Sequence, residues 1–343
     1  MKDVASRAGV ALKTVSRVVN GEPGVTPETA RRVLGAIQDL GFRRNESARL
    51  LRTGHTATLG FIADSWADPD LGGVYRGLED VVRPYGYLLY SGSTGSDAER
   101  EERLALAMCA RRVDGLIIVP TPGSHDYLVS EIEAGVAAVF VLRPPELVSG
   151  DAVLPDERAG GRAAVAHLVG NGHRRIGLLG GTDGVRAESA GGAHRLRQLL
   201  AGYREAMTTA GLAVDPAWTA LSVADLPRAE ITAVLCPHPA QTRAALRALA
   251  AAGFTGSGLT GSGRAGSGSR RMAVVGFGDF ESAELLAPPL TVVSYDPALI
   301  GRTAGELLIR RMAGEQGPPH RVEVPVRLIA RGSAEFAPDG WEA

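Results

Sequence analysis

From Thr58 onward, short runs of β-branched and apolar residues alternate with stretches of helical periodicity, and nothing else in the 343 residues constrains the fold as much. The runs are TLGFIAD, GYLLYSG, DGLIIVP, AAVFVL, RRIGLLGG, TAVLCP, MAVVGF and LTVVSYD. Between them lie segments such as LGGVYRGLEDVVRPYG, AEREERLALAMCARRV, ERAGGRAAVAHLVGNG and AQTRAALRALAAAG. A strand that is apolar on both faces has to be covered on both faces, and an intervening helix provides that cover. The pattern therefore predicts the α/β class with parallel sheets.

The first fifty-odd residues are different in kind. The whole chain has a formal net charge of −1, but residues 1–52 carry ten Lys and Arg against five Asp and Glu, which leaves the head at +5 and the remainder at −6. A small basic head on an acidic body is the charge distribution of a module that grips duplex DNA. Within it, Asp3 to Ala8 reads as a short helix, Gly9 as a turn and Leu12 to Asn20 as a second helix. Thr26-Pro27-Glu28 then opens a third helix, which Gly41 stops. The expected core is Val4, Ala8, Val15, Val18, Val19, Val33, Ile37 and Leu40, with Leu12, Lys13 and Arg17 left on the outer side of the second helix.

Other chemistry is poorly represented. Two cysteines, Cys109 and Cys236, form no metal-ligand spacing and no disulfide framework, and both are expected to be buried. The seven histidines are scattered, there is no HExxH or GxSxG, and GLLGGTDG lacks the lysine of a phosphate loop. His173 reads as a packing residue at a strand entrance. No apolar stretch is long enough to be a leader or a membrane span, so a cytoplasmic protein with no membrane partner is expected, not an enzyme, with neither cofactor nor metal.

The head and the segment after it, KDVASRAGVALKTVSRVVNGEPGVTPETARRVLGAIQDLGFRRNESARLLRTGHT, resemble the DNA-binding region of the lactose/galactose-repressor family of bacterial transcription regulators. The resemblance implies that the second helix lies in the major groove, with Leu12, Lys13 and Arg17 at base-contacting positions and Thr14, Ser16 and Asn20 at phosphate-facing ones. Arg17 suits the paired acceptors of guanine, and Leu12 offers apolar contact only. Ala11 departs from the family, which usually has a capping serine there. The segment from Asn45 to Gly54 is too short for a stable isolated helix. The resemblance implies a hinge that folds on the operator, with Asn45 capping, Ala48 at the close approach and Leu51 as the minor-groove wedge, Leu50 being the rival.

The same resemblance extends through RRVDGLIIVP, HLVGNGHRRIGLLGG, AGYREAM and VVGFGDF to PPLTVVSYDPALIGRTAGELLIRRM. It implies a two-lobed doubly wound body, like that of periplasmic binding proteins, joined by three crossovers. The expected division is a helix-turn-helix domain at 1–44, a hinge at 45–57 and a body at 58–343. The first lobe takes about 58–155 and 296–323, the second about 156–295 and 324–336. Gly253 to Arg270, rich in Gly and Ser, reads as a flexible surface insertion. The residues expected to line an effector cleft are Asp64, Trp66, Asp70, Arg143, Asp156, Arg197, His238, Asp279 and Tyr295. Several groups usual for sugar binding are replaced: Leu142 stands for an acid, Leu199 for an arginine, with Arg195 and Arg197 close enough to substitute, His238-Pro239 for an Asn-Asp pair and Tyr295 for a glutamine.

The function implied is a regulator, a repressor in the first instance, that binds a pseudo-palindromic operator in double-stranded DNA as a homodimer under a small-molecule effector, a sugar or another metabolite. A C-terminus without heptad leucines favours a dimer over a tetramer. Two rivals stay open: a constitutive DNA-binding protein whose body dimerises without sensing a sugar, and a solute-binding or enzymatic body with an incidental head.

Overall fold

The computed structural model describes residues 1–42, 55–180, 190–254 and 270–338. The chain divides into two compact units, Met1–Thr56 and Ala57–Ala343.

The first unit contains the helices α1 (Lys2–Ala8), α2 (Leu12–Asn20) and α3 (Pro27–Asp39). The start of α3 follows from its sequence: the Thr26 hydroxyl accepts the Thr29 N–H at 3.3 Å, and Pro27 sits in the first turn, where no N–H is needed. Val4, Ala5, Ala8, Val15, Val33 and Ala36 are buried together, with Val10, Val18, Val19, Ile37 and Phe42 packed around them. Leu40, expected in this core, is instead 46% exposed. The reason is the way α3 ends. Gly41 adopts φ 57°, a left-handed conformation that a Cβ disfavours, and the N–H groups of Gly41 and Phe42 reach back to the carbonyls of Gln38 and Ile37. That reversal swings Phe42 onto the core and leaves Leu40 outside.

The second unit holds eleven described strands: β1 (Thr58–Ala63), β2 (Leu88–Ser93), β3 (Gly115–Ile118), β4 (Ala137–Val141), β5 (Asp151–Pro155), β6 (Ile176–Leu178), β7 (Ala233–Cys236), β8 (Ala273–Phe277), β9 (Thr291–Tyr295), β10 (Arg321–Val324) and β11 (Val326–Ile329). They form two sheets, ordered β10-β5-β4-β3-β1-β2 and β11-β9-β8-β7-β6. Every pairing is parallel except β11 against β9. The chain passes from the first sheet to the second after Pro155, returns after Tyr295, and crosses again at Pro325, between β10 and β11. The α/β reading with two doubly wound lobes thus holds.

The body helices are α4 (Pro69–Val82), α5 (Ala98–Ala110), α6 (Val129–Glu133), α7 (Glu157–Gly170), α8 (Ala190–Thr209), α9 (Pro239–Ala251) and α10 (Pro297–Met312). Within the first lobe α4 packs on α10, and within the second α7 packs on α8. These pairs approach closely because glycine faces backbone: a Cβ at Gly77 would strike the Ala298 carbonyl, and one at Gly202 the Arg158 carbonyl. Burial of Leu59, Phe61, Ile117, Val139, Leu178, Leu235, Val275 and Phe277 on the two sheets is complete. Cys109 and Cys236 are buried free thiols, each pushed up to about 12 by burial first of all. His173 is buried too, its ring nitrogens on the Thr232 hydroxyl and the Phe336 carbonyl.

Candidate nucleic-acid interface and ligand cleft

On α2 the buried Val15 and the half-buried Val18 and Val19 turn one side of the helix toward the head core. Lys13 and Arg17 fall on the opposite side, as a 3.6-residue repeat requires, with Ser16 flanking them and Leu12 exposed at the helix start. Leu12 is 46% exposed, Lys13 is exposed, and Thr14, Ser16 and Arg17 are half-buried. The Arg17 guanidinium lies beside Gly24. Arg32 is used differently: it donates to the carbonyls of Ala8 and Gly9 at 2.8 and 3.2 Å and closes the C-terminus of α1. Ala11 starts α2 with extended geometry and no side-chain cap. The side chain of Asn20, the hinge residues Asn45, Ala48 and Leu51 with its rival Leu50, and most of the Gly/Ser-rich insertion lie outside the described residues.

In the body, candidate residues gather just beyond the carboxyl ends of parallel strands, the usual place for a ligand in an open α/β sheet. Asp64 follows β1, Arg143 follows β4, His238 follows β7, Asp279 follows β8 and Tyr295 ends β9. Asp64 is 9% exposed; it accepts the Ser96 hydroxyl at 2.6 Å and an Arg143 N–H at 2.9 Å, while Arg143 also donates to the Pro120 carbonyl. Asp70, in the first turn of α4, accepts the Tyr295 hydroxyl. Burial, followed by the neighbouring Asp68, raises the Asp70 carboxyl to about 6. Burial and Asp70 together drive the Tyr295 phenol well above its ordinary value, so the phenol is the donor.

His238 caps α9, its Nδ1 accepting the Ala240 N–H at 3.1 Å. Burial, then Arg195, lowers the ring to about 4, so at neutral pH its one proton sits on Nε2 and can be donated. Asp279 is already engaged by both terminal nitrogens of Arg331, at 2.8 and 2.6 Å. Trp66 is 49% exposed and stands against Phe61 and Tyr75, with ring centroids 5.9 and 6.3 Å away.

Two candidates fall elsewhere. Arg197 is exposed, and the inward arginine is Arg195, two residues earlier on α8 and so on a different face. Arg195 donates to the buried Glu157 at 2.8 Å and lies 5.6 Å over the Phe277 ring. Asp156 caps α7 through the Ala159 N–H and lines a separate polar cavity of about 340 Å³ with Glu157, His194, Gln198 and Arg321. The Glu157–Arg195 pair was not singled out from sequence. Its signal was available: Arg195, Leu199, Tyr203 and Met207 recur every four residues, and the last three are fully buried.

Among the described residues no cluster of His, Cys, Asp and Glu has metal-binding geometry, and no helix is long and apolar enough to cross a membrane. A basic three-helix head ahead of a two-lobed, ligand-binding-type body defines a DNA-binding transcriptional regulator. Comparison with known proteins agrees. Residues 1–45 match the family model "Bacterial regulatory proteins, lacI family", and residues 269–334 match "Periplasmic binding protein-like domain". The chain is 33% identical to the HTH-type transcriptional regulator CelR of Thermobifida fusca over 96% of each chain. It resembles the solved lac repressor dimer bound to operator and the anti-inducer ONPF, with a TM-score of 0.77 and 25% identity over 98% of both chains. The solved transcriptional regulator CelR–cellobiose complex is similar at a TM-score of 0.63 and 29% identity, covering 97% of this chain and 98% of that one. The chain belongs to the lacI family of bacterial regulatory proteins.

Proposed function

We propose that this regulator acts as a cytoplasmic repressor, binding a pseudo-palindromic operator as a homodimer whose affinity is set by a small molecule in the interlobe cleft. The observation that carries the DNA half is the outer side of α2, where Leu12, Lys13 and Arg17 stand clear of a core built by Val15. An arginine there satisfies the two acceptors of guanine, lysine adds a less directional donor, and leucine suits a thymine methyl. Thr14, Ser16 and Asn20 face phosphates, and Asn45, Ala48 and Leu51 form the hinge.

Support for a homodimer comes from β2, which among the described residues pairs with β1 alone and has no strand on its outer edge. Leu88 and Tyr90 on β2, and Tyr85 in the turn that precedes it, are 65, 49 and 63% exposed, an apolar patch that a monomer would leave unprotected. The likeness to a solved repressor dimer on its operator supports the same arrangement.

For the effector, Asp64, Asp70, Arg143, Arg195, His238 and Tyr295 offer donors and acceptors to a polar metabolite, with the half-exposed Trp66 as a flat apolar surface. Cellobiose is the first ligand to try, because the solved CelR complex holds it. Selection of bound DNA fragments by the full-length protein, followed by sequencing, tests the reading. The expected product is a symmetric site with half-sites about one helical turn apart. Enrichment of nothing beyond random sequence, or of a single unpaired half-site, would refute it. Operator binding unchanged across a broad ligand panel would favour the constitutive alternative.

A further inference from the structure

The charged groups of the cleft are paired within each lobe. Asp64 holds Arg143 in the first lobe, while Glu157 holds Arg195 and Asp279 holds Arg331 in the second. The Tyr295–Asp70 hydrogen bond differs from all three, because Asp70 belongs to α4 on the first lobe and Tyr295 ends a strand of the second sheet, opposite Val326 of β11. Tyr295 is 7% exposed, so its hydroxyl has no ready access to water in this arrangement. An opening that moves the start of α4 away from the carboxyl end of β9 breaks this bond and rehydrates both groups, whereas the three ion pairs travel intact with their own lobes.

We propose that Tyr295 and Asp70 form a latch that holds the lobes of the ligand-free protein closed, the phenol taking the place on Asp70 that an effector's donor would otherwise occupy. This rests on the reading of the cleft as the effector site. It adds that the empty cleft has a closed state of its own, which a ligand has to displace.

The latch carries a pH dependence of definite sign. Asp70 faces Asp68 and Asp279, which oppose its charge, and Tyr295 and Arg195, which favour it. In the closed form burial holds Asp70 at about 6, and opening returns it toward its ordinary 3.8. The closed form therefore binds the proton more tightly. Closure strengthens as pH falls from about 6 toward 4, by about 10-fold in the closed-to-open ratio at pH 5 and up to about 100-fold below pH 4, and is constant above about pH 7.

The test is lobe separation in full-length protein without any ligand. Donor and acceptor dyes are placed sparsely on Glu99→Cys and Arg247→Cys, exposed positions on α5 and α9, while the native cysteines stay buried. The expected result is a short-distance population that dominates at pH 5 and gives way to a longer one toward pH 8. Tyr295→Phe, which removes the donor, should show the long distance throughout. Asp70→Asn keeps an acceptor and should stay closed with the response between pH 5 and 8 lost; circular dichroism confirms that each variant is folded. If Tyr295→Phe superimposes on the parent at pH 5, or Asp70→Asn keeps the parent's pH response, there is no latch. Because no ligand is present, that failure is distinct from a cleft that binds no effector, which the ligand panel detects.

Discussion

Replacing Ala11 by serine should strengthen the head. Ala11 already has the extended backbone of a helix N-cap, φ −68° and ψ 150°, but no side-chain acceptor for the N–H groups of the first turn of α2, of which that of Thr14 reaches only the Ala11 carbonyl. Thr26, Asp68, Asp97, Asp156 and Asp296 supply such an acceptor to α3, α4, α5, α7 and α10. A serine oxygen at position 11 contributes about 1 kcal/mol, within a range of about 0.5–2. For a unit of 56 residues, with total stability on the order of 3–8 kcal/mol, that is a sizeable fraction. It corresponds to a rise of about 4–8 °C in the head's melting temperature. All three tryptophans, Trp66, Trp218 and Trp341, lie beyond the head, so fluorescence follows the body while circular dichroism follows both units. The expected result is a head transition moved upward and a body transition unmoved. Operator affinity should rise, while its slope against salt stays constant, because a hydroxyl adds no charge. A head midpoint that is unchanged or lower would show that α2 does not begin at Ala11 as described.

Val15→Ala removes two methyl-sized groups from a fully buried site. About 2–3 kcal/mol of head stability should be lost, and operator binding in gel-shift assays should fall with it while body fluorescence is unaltered. Arg17→Ala should lose about 1–3 kcal/mol of operator affinity without changing either melting transition, as read by fluorescence anisotropy against the selected site. Asp70→Asn should stabilise the body against urea by up to about 3 kcal/mol at pH 7.5 and by little near pH 4. The sign follows from a carboxyl held at about 6 in the fold against 3.8 unfolded, whose stabilising proton is present at low pH and lost as pH rises through 6. Glu157→Ala leaves the half-buried Arg195 without its carboxylate and should destabilise the body by about 3 kcal/mol in urea titrations. Arg195→Met should cost less, because Glu157, already pushed upward by burial, can take up a proton.

The α/β body and the helical head were legible because both are written in local periodicity. TLGFIAD and MAVVGF are apolar on both faces, and Thr26-Pro27 marks a helix start within one turn of chain. The strands β5, β10 and β11 were not among the sequence-derived runs. DAVLP begins with Asp151, which becomes buried only because Arg311, from the distant α10, holds it at 2.7 and 2.9 Å. RVEV and VRLI alternate charge with apolar residues because they lie at sheet edges. In the cleft, sequence nominated Asp64, Arg143 and Asp70 one by one, and the tertiary structure decided their partners: Arg143 closes on Asp64, Tyr295 on Asp70, and Arg195 rather than Arg197 turns inward to Glu157.

What the sequence determined by itself is the set of elements and the basic, outward side of α2, since hydrophobic period, capping and charge act within a few residues of one another. What only the tertiary structure decided is which charged and polar groups of the cleft pair with one another. That choice depends on burial and on distances of a few ångströms between residues as far apart in the chain as Asp70 and Tyr295, and one-dimensional spacing carries neither.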